Sequence, residues 1–122
     1  MKKNKKTVVL GASTNPDRYA YKAVMLLRKH EHEVIAVGLK SGKVADVEIH
    51  ATQQEIIDTD TVTLYLNPTH QKEYYEYILK LKPRRLIFNP GTENPELENI
   101  ATENGILCEE ACTLVLLNTG QF

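Results

Sequence analysis

Thr7-Val8-Val9-Leu10-Gly11-Ala12-Ser13-Thr14-Asn15-Pro16-Asp17-Arg18-Tyr19-Ala20-Tyr21-Lys22 is the stretch that decides the fold. Its first four residues are nearly all apolar, as in a strand buried on both faces. Gly11 follows at once, then a polar loop. Ala20, Ala23, Val24 and Leu27 return at i, i+3, i+4 and i+7, one stripe of a helix. A buried strand, a tight turn and an amphipathic helix form the first half of a β-α-β unit.

The rest of the chain repeats that alternation. Val34 to Val37 reads as a second buried strand, Val62 to Leu66 as a third and Arg85 to Phe88 as a fourth, with Ile106 to Cys108 as a short last one. Tyr74, Tyr77, Ile78 and Leu81 mark one helical stripe; Leu97, Ile100 and Ala101 mark another, and Ala111 to Asn118 suits a closing helix. Strands alternating with helices imply parallel pairing through right-handed crossovers. The expected fold is α/β, a Rossmann-like, doubly wound three-layer structure whose mainly parallel sheet has about five strands. Between Leu39 and Ala51 the pattern is less regular, with Val44, Val47 and Ile49 expected as extended segments at the sheet edge. Thr52-Gln53-Gln54-Glu55 has the capping-box pattern and predicts the start of a short helix.

Composition sets the bounds. A chain of 122 residues with 42% hydrophobic content can fold as one domain, residues 1–122, around a single core. The formal net charge of −1 gives no global attraction to nucleic acid or an anionic membrane. The Lys2-Lys3-Asn4-Lys5-Lys6 cluster is expected to be a solvated basic tail (residues 1–5) leading into the first strand. No apolar run reaches the roughly 20 residues that span a bilayer, and no signal-peptide core follows the basic residues. Two cysteines, Cys108 and Cys112, do not make a disulfide framework, so a reducing cytoplasm is the expected setting.

Four of the five prolines follow asparagine, at Asn15-Pro16, Asn67-Pro68, Asn89-Pro90 and Asn94-Pro95. Asparagine is a strong N-cap and proline suits the first helical position, so each pair can punctuate a strand-to-helix turn. Asn94 is expected to cap its helix and Gly105 to end it. The first three pairs lie just beyond strand C-termini, the edge at which doubly wound folds bind ligands. There Gly11 permits a close backbone approach, Ser13 offers a hydroxyl, and Arg18 and Lys22 offer positive charge beside a helix N-terminus. At the end of the second strand stand Gly38, Leu39 and Lys40. No carboxylate is there to accept ribose hydroxyls, which disfavours NAD, and Lys40 suits a phosphorylated ribose such as that of NADP or coenzyme A.

In combination these features resemble the single-domain CoA-binding proteins, which are similar to the CoA-binding domain of succinyl-CoA synthetase. The resemblance lies in Gly11-Ala12-Ser13 with Asn15-Pro16 and Arg18-Tyr19, in Asn89-Pro90-Gly91-Thr92-Glu93, and in Glu110-Ala111-Cys112-Thr113, and it covers roughly residues 6 to 122. It implies that coenzyme A binds through its 3′-phospho-ADP moiety across the first βα turn. Gly11, Ala12, Ser13 and Arg18 would then serve the phosphates, and Gly38, Leu39 and Lys40 the adenosine and its phosphate. Asn15, Tyr19, Lys22, Asn67, Pro68, Asn89, Pro90 and Gly91 complete the expected binding set. The loop Asn67-Pro68-Thr69-His70 departs from the family, many of whose members place arginines there.

No catalytic set is read from the sequence. Acyl-CoA synthetases of the larger family use a phosphorylated histidine in a second domain, and these residues leave no room for one. His30 and His32 are expected at the surface opposite the crevice, and His50 falls in the irregular region. His70 alone is near the predicted site, where it can touch ligand or face water. Cys108 is expected to pack at a strand end and Cys112 to be a small buried hydrophobe. Their spacing, with no second pair, does not suit structural zinc. The expected function is noncatalytic binding of CoA or an acyl-CoA, with presentation to an unidentified protein partner or sensing of its level. A small NADP-binding oxidoreductase-type domain and a nucleotide-free interaction protein are the alternatives, and oligomeric state stays open.

Overall fold

A computed structural model describes residues 4–122. The initial apolar run forms β1 (Thr7–Leu10), every residue of which is buried. The helical stripe forms α1 (Tyr19–Lys29), which buries Ala20, Ala23, Val24 and Leu27. The chain continues through β2 (Val34–Val37), β3 (Gly42–Val44), β4 (Val47–His50), β5 (Thr61–Leu64) and α2 (Pro68–Gln71). A 3₁₀ turn (Lys72–Tyr74) leads into α3 (Tyr75–Leu81), followed by β6 (Arg85–Phe88), α4 (Pro95–Glu103), β7 (Leu107–Glu110) and α5 (Thr113–Asn118).

The strands form one sheet in the order β3-β4-β2-β1-β5-β6-β7. All neighbours are parallel except β3 and β4, which are antiparallel. The sheet therefore has seven strands rather than about five. The difference is mostly the β3–β4 hairpin, whose Val44, Val47 and Ile49 are buried at the expected edge. One sheet face packs Val8, Leu10, Leu64 and Phe88 against Ile78 and Leu81 of α3 and Leu97 and Ala101 of α4. The opposite face packs Val9, Ala36 and Ile49 against Val24 and Leu27 of α1 and Leu117 of α5. That gives the three layers of a Rossmann-like fold. Full burial of each such Leu or Val contributes about 1.5–3 kcal/mol before the entropy of ordering it is deducted.

Three local expectations are corrected. No helix forms at 52–55, and residues 51–60 are irregular. The Tyr77 hydroxyl donates to the Gln54 carbonyl and accepts from the Gln54 N–H, while the Gln54 side chain donates to Thr52. Tertiary contacts thus take the backbone groups that a helix would use. His32 is buried rather than exposed, at 7% accessibility, with Phe122 tilted against its ring at 5.0 Å. Lys2 and Lys3 of the basic cluster lie outside the described residues. The described part is tied down, since the Lys5 N–H donates to His32 Nδ1 at 2.9 Å and Asn4 Oδ1 accepts from the Glu33 N–H at 2.8 Å. Among the described residues no helix is long and apolar enough to cross a membrane.

Candidate binding cleft

From β1 the chain crosses to β2 on one side and later returns to β5 on the other, so a topological switch point lies at the C-terminal end of β1. There the loops after β1, β2, β5 and β6 enclose a cleft of about 840 Å³, within the range of about 300–1,000 Å³ typical of ligand sites.

Gly11 and Gly38 shape its floor. Gly11 has φ +92°, and a Cβ there would stand 2.9 Å from the carbonyl carbon and oxygen of Tyr65. A Cβ on Gly38 would stand 2.3 Å from the Ala12 carbonyl oxygen. Both glycines thus allow one backbone to press against another. The Gly11 and Ala12 N–H groups both donate to the Val37 carbonyl, at 2.9 and 3.0 Å. They hold the loop to β2, so the backbone donors toward the cleft come from the residues that follow. Gly11 and Ala12 remain wall residues of the cleft.

Beyond them the loop folds on its own side chains. Ser13 Oγ accepts from the Asn15 N–H at 3.0 Å, and Asn15 Oδ1 accepts from the Asp17 N–H at 3.0 Å. These short turns deliver Arg18 to the N-cap position of α1, where no side chain caps the helix. The uncapped N-terminus and the Arg18 guanidinium share the cleft wall with Ser13, Asn15 and Tyr19. Leu39 and Lys40 line it from the loop after β2. Tyr19 and Leu39 are 66% and 80% exposed, so both leave apolar surface at the cleft. Lys22 does not line it; its ammonium lies over the Tyr19 ring, 5.4 Å from the centroid. Gly38 acts through the close approach described above and does not reach the cleft wall.

The opposite wall comes from the loops after β5 and β6. Asn67 lines the cleft and caps α2, its Oδ1 accepting from the His70 N–H at 2.9 Å. Pro68 occupies the first helical turn and points the chain away. Pro90 and Gly91 line the cleft, and the Gly91 N–H is held by Glu93 Oε1 at 2.9 Å. Asn89, in the expected set, does not line the cleft. It is 2% exposed; its Nδ2 donates to Thr63 Oγ1 and the Leu64 carbonyl, and its Oδ1 accepts from the Thr113 N–H at 2.9 Å. This asparagine pins the start of α5 to β5. Asn94 caps α4 as expected, accepting from the Leu97 N–H at 3.2 Å.

The cleft gains Thr14, Ala20, Tyr65, Leu66, His70 and Thr92, none of which was in the expected set. Thr92 directly follows the Asn89-Pro90-Gly91 motif and was legible from it. Tyr65 was not, because its phenol turns inward from a strand end. There burial pushes its pKa up to about 12, against a smaller opposing pull from the Thr113 and Thr63 hydroxyls. Beneath this wall Gln71 is fully buried. It donates to the Leu66 and Thr92 carbonyls, each at 2.8 Å, and accepts from Asn94 Nδ2 at 2.9 Å. Such a satisfied buried network fixes the two loops relative to each other. The titratable lining residues are Arg18, Lys40, His70, Tyr19 and Tyr65; no aspartate or glutamate lines the cleft.

Comparisons with other proteins agree with this geometry. No protein of curated function matches the chain. A crystal structure of an uncharacterized protein is 52% identical with a TM-score of 0.95, covering 98% of this chain and 99% of that one. A hypothetical protein from Pyrococcus horikoshii OT3 is 26% identical with a TM-score of 0.85, over 95% of this chain and 83% of that one. The structure of cell-free ID.343 from Thermus thermophilus, at 24% identity and a TM-score of 0.82, shares the fold over 98% of this chain and 91% of that one. A family model described as a CoA binding domain matches residues 5–118. With that match running from just before β1 to the end of α5, the chain belongs to the CoA-binding domain family.

Proposed function

We propose that the cleft holds coenzyme A, or an acyl-CoA, through its 3′-phospho-ADP moiety and without transforming it. The observation that carries this reading is the sign of the cleft. The chain has 16 acidic residues and a net charge of −1, yet Arg18, Lys40 and His70 line the cleft and no carboxylate does. An anion of several charges fits such a wall, and a carboxylate ligand set for a cation does not.

The residues present fit the cofactor. The uncapped start of α1 and Arg18 suit the diphosphate, since helix N-H groups and a guanidinium both stabilise phosphate oxygens. Ser13 adds a hydroxyl. The exposed faces of Tyr19 and Leu39 suit the adenine, with Lys22 supporting the Tyr19 ring from behind. Lys40, on the same wall, would supply the counter-charge for the 3′-phosphate of the ribose.

In this reading the side chains near the cleft hold the ligand and the frame around it. The Tyr65 phenol, with its pKa near 12, does not exchange a proton at neutral pH. Asn89 is fully engaged in holding α5, and burial pushes the Cys108 thiol up, away from the reactive thiolate. Two free cysteines suit a reducing cytoplasm, where the protein would present CoA or report its level. The test is Lys40→Ala titrated with CoA and with dephospho-CoA. CoA affinity should fall about tenfold, the size of one charge-assisted contact, and dephospho-CoA affinity should hardly change. Equal losses would remove Lys40 from the 3′-phosphate.

A further inference from the structure

We infer that His70 is a ligand-contacting residue whose protonation sets the affinity of the cleft, so that binding of the CoA diphosphate takes up a proton. The inference rests on the CoA site proposed above and adds its regulation by pH. His70 lines the same cleft as Arg18 and Lys40 and is exposed. Its position is fixed on both sides: its N–H is held by Asn67 Oδ1, and its neighbour Gln71 is fully buried with three hydrogen bonds. Among the described residues, the His70 imidazole forms no hydrogen bond or ion pair of its own. An exposed imidazole on a fixed backbone, with no partner among the described residues, thus lines the cleft.

The charges around it give the sign. Arg18, at the head of α1, and Lys40, in the loop after β2, line the same cleft. From the loop after β6, Pro90, Gly91 and Thr92 carry no titrating group, and the nearby Glu93 carboxylate is held by the Gly91 N–H. Tyr65 stays neutral throughout the relevant range. On its own segment Lys72 and Glu73 follow, one of each sign. A bound diphosphate beside His70 favours the ionised imidazole, because an opposite charge within a few ångströms stabilises it. By linkage the ligand binds more tightly as pH falls through the range in which histidine titrates. A rise of about one pKa unit on binding corresponds to about a tenfold gain in affinity.

The test titrates the whole chain with dephospho-CoA at pH 5.5, 6.5 and 8.0, in buffers of different ionisation enthalpy. Dephospho-CoA is the probe because the 3′-phosphate monoester of CoA itself takes up a proton near pH 6, whereas a diphosphate bridge does not titrate there. Affinity should rise about tenfold from pH 8.0 to 5.5, with proton uptake at pH 6.5. His70→Gln should bind with a flat profile near the pH 8.0 affinity, and His70→Lys with a flat profile near the pH 5.5 affinity. A flat wild-type profile, or a slope that survives in His70→Gln, would overturn the inference while leaving the CoA site intact. Failure of both CoA and dephospho-CoA to bind at any pH would overturn the site and this inference together.

Discussion

Replacing Gly38 by alanine should damage stability and binding together, because one backbone contact shapes both. The added Cβ would stand 2.3 Å from the Ala12 carbonyl oxygen, 3.2 Å from its carbon and 3.1 Å from Ile49 Cγ2. Relief to about 3.0 Å requires a shift of roughly 0.7 Å, a distance that core repacking rarely absorbs without strain. Ala12 cannot simply retreat, since its N–H and that of Gly11 share the Val37 carbonyl. Gly11 in turn presses on the Tyr65 backbone. Overpacking of this kind costs about 1–3 kcal/mol, and the lower entropy of an unfolded alanine chain offsets about 0.4–1 kcal/mol of it. The net expectation is a loss of about 1.3 kcal/mol, which for a chain of this size lowers Tm by about 5 °C. The displaced loop carries Ser13 and leads to Arg18, so CoA affinity measured well below Tm should also fall about tenfold, as for one lost charge-assisted contact. Thermal denaturation followed by circular dichroism and titration calorimetry read the two effects. A variant with Tm within about 1 °C of wild type and unchanged CoA affinity would refute the close approach as the reason for the glycine.

Two further substitutions probe the frame rather than the ligand. Asn89→Ala leaves the buried Thr113 N–H and Leu64 carbonyl without the partner they have now, and should cost about 3 kcal/mol in urea denaturation; a loss below about 1 kcal/mol would mean that water replaces the side chain. His32 gives a pH signature: burial, then the nearby positive charges, lower its pKa below 6.5, and its Nδ1 accepts from the Lys5 N–H, which requires a neutral imidazole. The unfolded chain therefore binds more protons than the folded one between the lowered value and 6.5. Stability should fall as pH drops through that window and level off above it. His32→Gln should flatten the dependence of the urea midpoint between pH 5 and 7.5, and an unchanged slope would assign the dependence to another group. Asp60, whose pKa is lowered, acts in a separate window: its contribution is present above about 3.8 and is lost as pH falls through its folded value.

Much of this architecture is legible in the chain because its central strands are continuous apolar runs. Thr7 to Leu10, Val34 to Val37 and Arg85 to Phe88 have the same bounds in the structure as in the pattern. Long-range competition sets the limits. The capping-box residues at 52–55 lose their helix to the Tyr77 hydroxyl, which comes from a helix more than twenty positions later. His32 is buried by Phe122, ninety residues further along. The Asn-Pro pairs show how one local signal divides under tertiary context. Asn67 and Asn94 cap helices, Asn15 makes a short turn four residues before the start of α1, and Asn89 is withdrawn into the core. The cationic cleft was legible through Arg18 and Lys40. The tie that holds Gly11 and Ala12 was not legible, because the Val37 carbonyl that takes both N–H groups belongs to the neighbouring strand.

The most direct measurement is calorimetric titration of the protein with CoA, dephospho-CoA, NADP and NAD in parallel, at one pH and one salt concentration. The expected order is CoA first and dephospho-CoA weaker by about one charge-assisted contact, roughly tenfold. NAD should bind least, since no carboxylate stands beside Lys40 to receive its ribose. Tighter binding of NADP than of CoA, or binding of none of the four, would contradict a cleft built for coenzyme A.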